Sequence, residues 1–183
     1  YTSFFNKDIT VENIGENIGK ELCKLGYSSF SVIGICVGSV VALEIAKYLE
    51  SNRKVVDNVF IGASLPTKAP RILGKTINPW SFVNRKYINY FLEKLGGEQV
   101  CFEKVSEKIF RNDKENRINI KGAVILIFGE NDKITLGYSN KAKKWKNYIN
   151  EFSLIILKNA GHYFIKSKAK KVAEIIEKSS KIN

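Results

Sequence analysis

Apolar residues fall along this 183-residue chain in two alternating rhythms. Residues 11–25 place Val11, Ile14, Ile18, Leu22 and Leu25 at helical spacing. With Thr10 as an N-cap and Gly26 just past the end, they predict an amphipathic helix. Residues 30–35 (FSVIGI) form a short, nearly continuous apolar run that suits a strand buried on both faces. Residues 37–50 predict a second helix with small residues in its first turn. Apolar runs at 55–61, 123–128 and 152–157 predict three further strands, and helical patterns recur at about 139–149 and 167–179. The last of these carries Ala169, Val172, Ala173 and Ile176 on one stripe. Strands alternating with helices predict an α/β fold, with a mostly parallel sheet flanked by helices and joined by right-handed crossovers.

The rhythm stops between residues 66 and 118. Helical, aromatic and charged patches replace it there, including Trp80, Phe82, Tyr87, Tyr90, Phe91, Phe102 and Phe110. A long insertion between two core strands is often a lid or binding element, and we expect a lid over about 67–118. The aromatic residues could line a pocket or form the lid's own small core.

Composition adds bounds. Hydrophobic residues make up 44% and charged residues 26%, which is ordinary for a folded domain, and the length suits one domain across 1–183. No run of 18 apolar residues occurs, so no membrane span is expected, and no signal-peptide pattern is present. Cys23, Cys36 and Cys101 are odd in number and widely spaced, which fits neither a disulfide framework nor a four-ligand zinc site. A reducing, cytoplasmic location is the simpler expectation. The net charge is +12, but residues 1–65 hold 6 basic and 7 acidic groups, against 12 and 6 in 66–121 and 12 and 5 in 122–183. Of the 30 cations 25 are Lys, whereas base reading and phosphate clamping favour Arg. A solvated Lys-rich face is therefore expected rather than nucleic-acid binding, with an acidic protein partner as the other reading.

Three residues carry candidate chemistry, each just after a predicted strand. Gly34-Ile35-Cys36-Val37-Gly38 follows the first strand and opens a helix, in the form G-x-(Ser or Cys)-x-G. Such a turn lifts its middle side chain into a cleft, so Cys36 is a candidate nucleophile. The Val37 N–H, at the new helix start, is a candidate oxyanion donor. Asp132 follows the third strand, with Glu130 as a competing carboxylate; Asp57 begins its strand and lies at the wrong edge of the sheet. His162 follows the fourth strand and is the only histidine in the chain. Nucleophile, acid and histidine occur in the order of α/β-hydrolase triads. In that scheme Cys36 attacks an acyl carbonyl, His162 moves the proton and Asp132 orients the imidazole.

From about residue 11 onward the chain resembles the thioesterases of nonribosomal-peptide and polyketide synthesis, and among them the free-standing editing (type II) enzymes. The likeness rests on Gly34–Glu44, Phe60–Pro66, Phe91–Gly97, Gly129–Thr135, Trp145 and Gly161–Ile165, in that order. It implies an α/β-hydrolase fold with a helical lid, and the triad Cys36, Asp132 and His162. It also implies hydrolysis or transfer of acyl or peptidyl chains held on phosphopantetheine, so the partners would be an acyl or peptidyl carrier protein and a small acyl thioester. No cofactor and no metal are implied. The terminal releasing enzymes usually carry their acid after the second strand, where this chain has Gly62-Ala63-Ser64 and no carboxylate, which favours the editing type or a releasing domain with a relocated acid. Most of the family has Ser where this chain has Cys36. A thiol nucleophile makes the intermediate another thioester, so transfer or cyclisation stays open beside hydrolysis. The family also begins with further strands and a loop holding a second oxyanion donor, which residues 1–10 are too few to supply. We therefore expect those strands to lie outside these 183 residues.

Two alternatives remain at this point. A polyester synthase also places Cys in G-x-C-x-G, although Phe60–Pro66 and Phe91–Gly97 resemble that family less. A catalytically silent carrier-binding module would keep the fold without an activated thiol.

Overall fold

A computed structural model of the chain describes residues 11–66 and 118–180, apart from Val37, Ile134, Leu136 and the Ser139 side chain, together with the backbone of 71–72 and 75–76. In chain order the elements are α1 (Val11–Lys24), β1 (Ser29–Ile35), α2 (Gly38–Ser51), β2 (Val55–Gly62), β3 (Arg71–Ile72), β4 (Lys75–Thr76) and β5 (Ala123–Gly129). They continue with α3 (Tyr138–Lys141), a 3-10 helix (Ala142–Asn147), β6 (Ser153–Leu157), α4 (Phe164–Ser167) and α5 (Ala169–Ser180). The chain divides into two compact units, Val11–Leu65 with Arg117–Asn183 and Tyr1–Thr10 with Pro66–Asn116. In the second unit β3 and β4 pair antiparallel. Apart from these strands and Ile118, the lid expected over 67–118, with its aromatic residues and Cys101, lies outside the described residues, as do Thr10 and Phe91–Gly97.

The first unit is built on one parallel sheet in the order β1-β2-β5-β6. β2 and β5 lie in its centre, and from Val56 to Gly62 and Val124 to Gly129 nearly every residue is buried. Central parallel strands are covered on both faces, which is why they read as unbroken apolar runs rather than alternations. β1 departs from the expectation of burial on both faces: Ser31 is exposed and Ile33 is 37% exposed. The strand lies at the edge of the four-stranded sheet, and the α5 side of the sheet covers only Ile35 of it. That core joins Phe60, Ile125, Ile127, Leu157, Phe164 and Val172, with Ile175 and Ile176 packed against it. Truncating a fully buried ring such as Phe60 or Phe164 would cost about 3–5 kcal/mol by the usual cavity effect.

Two helix faces differ from the predicted stripes. In α1 the buried positions are Val11, Gly15 and Gly19, whereas Ile18 and Leu25 are exposed. The two glycines bring α1 directly onto Glu44 and Tyr48 of α2, so close that an added methyl would overlap their side chains. In α5 the packed residues are Val172, Ile175 and Ile176, and Ala169 and Ala173 face solvent. The pattern at 139–149 becomes a single α-turn and a 3-10 helix, held by the fully buried Trp145, whose Nε1–H donates to Ser64 O at 3.1 Å. Among the described residues no helix is long and apolar enough to cross a membrane.

The basic excess of the C-terminal third is solvated. Every lysine from Lys133 to Lys178 is exposed except Lys168, which is half-buried, as expected of charge held on a surface.

Candidate active site

Cys36, Asp132 and His162 all leave the carboxyl ends of parallel strands, which places them along one edge of the sheet. Cys36 is the residue between β1 and the first turn of α2, and its backbone has φ 57, the left-handed region. A non-glycine residue there is strained by roughly 1–2 kcal/mol and persists only where its surroundings fix it. They do so here. Cys36 N–H donates to Gly62 O at 2.8 Å, and its carbonyl accepts from Ser39 N at 3.2 Å. The buried Ser39 hydroxyl lies 3.0 Å from Gly34 O and 3.2 Å from Gly62 O, tying the helix start to the ends of both strands. The Cys36 side chain is left partly exposed rather than packed into the core.

The two glycines of the motif do different work. A Cβ on Gly34 would lie 2.2 Å from Gly38 O and 2.6 Å from Ser39 Cα, so only glycine lets α2 start this close to β1. A Cβ on Gly38 would meet nothing within 4 Å, so the close approach rests on Gly34 alone. Gly34→Ala is therefore expected to destabilise the fold by about 3 kcal/mol, because backbone atoms cannot yield as a flexible side chain can. Gly38→Ala, at the start of a helix with open space beside it, should cost less than about 0.5 kcal/mol. Urea denaturation midpoints of the two variants check this contrast.

Asp132 and His162 meet directly. His162 Nδ1 lies 2.9 Å from Asp132 Oδ2, and both side chains are buried, with Asp132 only 1% exposed. The acid loop and the histidine loop are braided together: Glu130 N–H donates to Leu157 O at 3.0 Å, and Asn131 N–H to Ala160 O at 2.8 Å. Gly129 makes room for this, since a Cβ on it would fall 2.4 Å from Ala160 O and 2.6 Å from Gly161 O. Two residues past the histidine, the fully buried Phe164 plugs into the core and anchors the loop. The competing carboxylate is turned away: Glu130 Oε2 accepts from Asn159 N at 2.9 Å at the exposed surface. Asp57 sits near the start of β2, at the opposite end of the strand from Gly62. Among the described residues no three His, Cys, Asp or Glu side chains cluster as metal ligands.

Electrostatics couple all three groups. Burial pushes the His162 pKa down, but the Asp132 hydrogen bond, followed by hydrogen-bonding and charge interactions with Cys36, outweighs it and raises the value to about 9. His162 Nε2 is buried and makes no hydrogen bond of regular geometry. Cys36 nevertheless lies close enough to act on the ring. Tyr163 packs edge-on against His162 with ring centroids 5.2 Å apart, and its own pKa is raised by burial first and by the Cys36 charge second. Val37, the expected oxyanion donor, lies outside the described residues.

One residue at this site had no role in the sequence reading. Thr135 is 2% exposed, and its hydroxyl lies 2.6 Å from Asp132 Oδ2. Beyond closing the Gly129–Thr135 segment, its sequence signal is a hydroxyl three residues after the acid, a spacing that turn-forming residues commonly show.

No family model matches the sequence, and the search of curated proteins gives no match. Solved structures do match. YbtT, a type II thioesterase from the yersiniabactin NRPS/PKS biosynthetic pathway, aligns with TM-score 0.65 at 13% identity over 93% of this chain and 73% of its own. ClbQ, from the colibactin NRPS/PKS pathway, aligns with TM-score 0.61 at 14% identity over 94% of this chain and 77% of its own. An esterase from a marine microorganism aligns with TM-score 0.57 at 14% identity over 94% and 78%. Likeness at such identities is likeness of fold, and with the parallel sheet, its flanking helices and the strand-end loops it establishes that this chain has the α/β-hydrolase fold.

Proposed function

We propose that the protein is an acyl-thioester hydrolase in which Cys36 is the nucleophile, His162 the proton carrier and Asp132 the orienting acid. The observation that carries this reading is the buried Asp132–His162 pair, at 2.9 Å, under the electrostatic influence of a thiol held on a strained elbow. The substrate class is acyl chains carried on phosphopantetheine. YbtT and ClbQ, drawn from NRPS/PKS pathways, support that choice, and the solvated lysines would suit an acidic carrier protein.

The raised His162 pKa shapes the chemistry. At neutral pH the imidazole is charged, so it does not begin the reaction as a base. Its productive partner is a Cys36 thiolate, which attacks the thioester carbonyl. The tetrahedral intermediate collapses by breaking the bond to the leaving sulfur, which takes a proton from His162. Acylation replaces the thiolate by a neutral thioester. The Cys36 contribution to the His162 pKa then disappears while burial still lowers it, so the imidazole is left neutral and able to take a proton from attacking water. The acyl group departs as the acid, and the thiolate–imidazolium pair is restored.

This sequence fixes the sign of a pH effect. The free enzyme needs the imidazolium, which is fully present well below pH 9 and lost as pH rises through about 9. The value of kcat/KM for an acyl-pantetheine thioester should therefore fall tenfold per unit above that point. Steady-state hydrolysis of acyl-pantetheine across pH 6–10, followed by release of the free thiol with a non-thiol-reactive detection, tests the reading. A profile that rises through pH 9, or no thioester cleavage at any pH, would contradict it.

A further inference from the structure

We propose that Thr135 is a positioning residue that holds the Asp132 carboxylate in line with the imidazole, an inference that rests on the triad reading above. Asp132 can pull on His162 in two ways: through the directional hydrogen bond at Nδ1, and through charge, which depends mainly on distance. The directional contribution is the larger of the two. Its strength therefore depends on which way the carboxylate plane faces.

Thr135 sets that plane. Its hydroxyl donates to Oδ2 at 2.6 Å, the same oxygen that faces His162 Nδ1 at 2.9 Å, while its backbone N–H reaches Oδ1 at 3.3 Å. Both carboxylate oxygens are thus held by one residue three positions along the chain. All three side chains are buried, so water does not offer the hydroxyl's hydrogen bond in its place. A carboxylate gripped at both oxygens has little freedom to rotate when the imidazole gains or loses its proton. Orientation then costs nothing further at the moment of reaction.

The test uses Thr135→Val, which keeps the shape and removes the donor, and Thr135→Ser, which keeps the donor and removes a methyl. His162 is the only histidine in the chain, so in a tag-free protein its NMR titration is read without assignment. In Thr135→Val the His162 pKa is expected to fall from about 9 by about one unit, as the directional contribution weakens and the charge contribution stays. Turnover of acyl-pantetheine should fall about tenfold in kcat with KM unchanged. Thr135→Ser should restore both. A merely structural role would lower the thermal midpoint without moving the titration. An unchanged or raised pKa in Thr135→Val, or a Ser variant as impaired as the Val variant, overturns the proposal. The titration needs no substrate. If the wild-type protein cleaves no thioester but the pKa falls and Ser restores it, positioning by Thr135 stands and the functional reading is what fails.

Discussion

Cys36→Ala is expected to reduce turnover of an acyl-pantetheine thioester by about four orders of magnitude or more, while the protein stays folded. The size follows from the role: without the sulfur there is no covalent intermediate, and water must attack directly with only binding and residual polar groups to help. The fold should survive because the Cys36 side chain is partly exposed and the elbow is held by other atoms. Its backbone bonds to Gly62 and Ser39, and the Ser39 hydroxyl bonds, do not involve the sulfur. Circular dichroism and a thermal midpoint close to wild type, together with lost turnover, would show this pattern. Cys36→Ser should keep some hydrolysis. The hydroxyl occupies the same elbow, and removing the thiol removes its upward pull on the imidazole, leaving His162 better suited to act as a base.

His162→Ala should cost about three orders of magnitude, for a different reason. The thiol remains, but its charge loses the imidazolium that stabilises it, and the leaving sulfur loses its proton donor. Alkylation by iodoacetamide near neutral pH should slow in parallel, which separates loss of activation from loss of substrate binding. This variant also leaves the Asp132 carboxylate, 1% exposed, without its cationic partner. Thr135 still donates to it, so a moderate loss of stability is expected rather than unfolding, and activity must be normalised to the folded fraction measured by circular dichroism.

Much of this was legible in the sequence for definite physical reasons. The central strands are buried on both faces, and a strand so placed cannot hide its apolar run. Cys36, Asp132 and His162 stood out because each comes soon after an apolar run, at the carboxyl end where parallel strands present their side chains. What escaped notice was decided by close approach and direction. α1 meets α2 through Gly15 and Gly19, so the helix stripe was misplaced: periodicity weighs large apolar residues and is blind to contacts that depend on having no side chain. The 3-10 helix at Ala142–Asn147 and an α-helix differ too little over six residues to separate by spacing. The choice between Asp132 and Glu130 turns on which carboxylate faces inward, and the braid of the two loops settles that only in three dimensions. Thr135 was invisible for the same reason: its importance lies in the oxygen it touches.

The central claim is that one sulfur takes the acyl group, and intact-protein mass spectrometry during incubation with an acyl-pantetheine thioester addresses it most directly. The account predicts a single added acyl mass that maps to the Cys36 peptide, decays as free acid appears, and is missing in Cys36→Ala. Free acid produced with no adduct on Cys36, or an acyl group mapped to Cys23 or Cys101 instead, would contradict it.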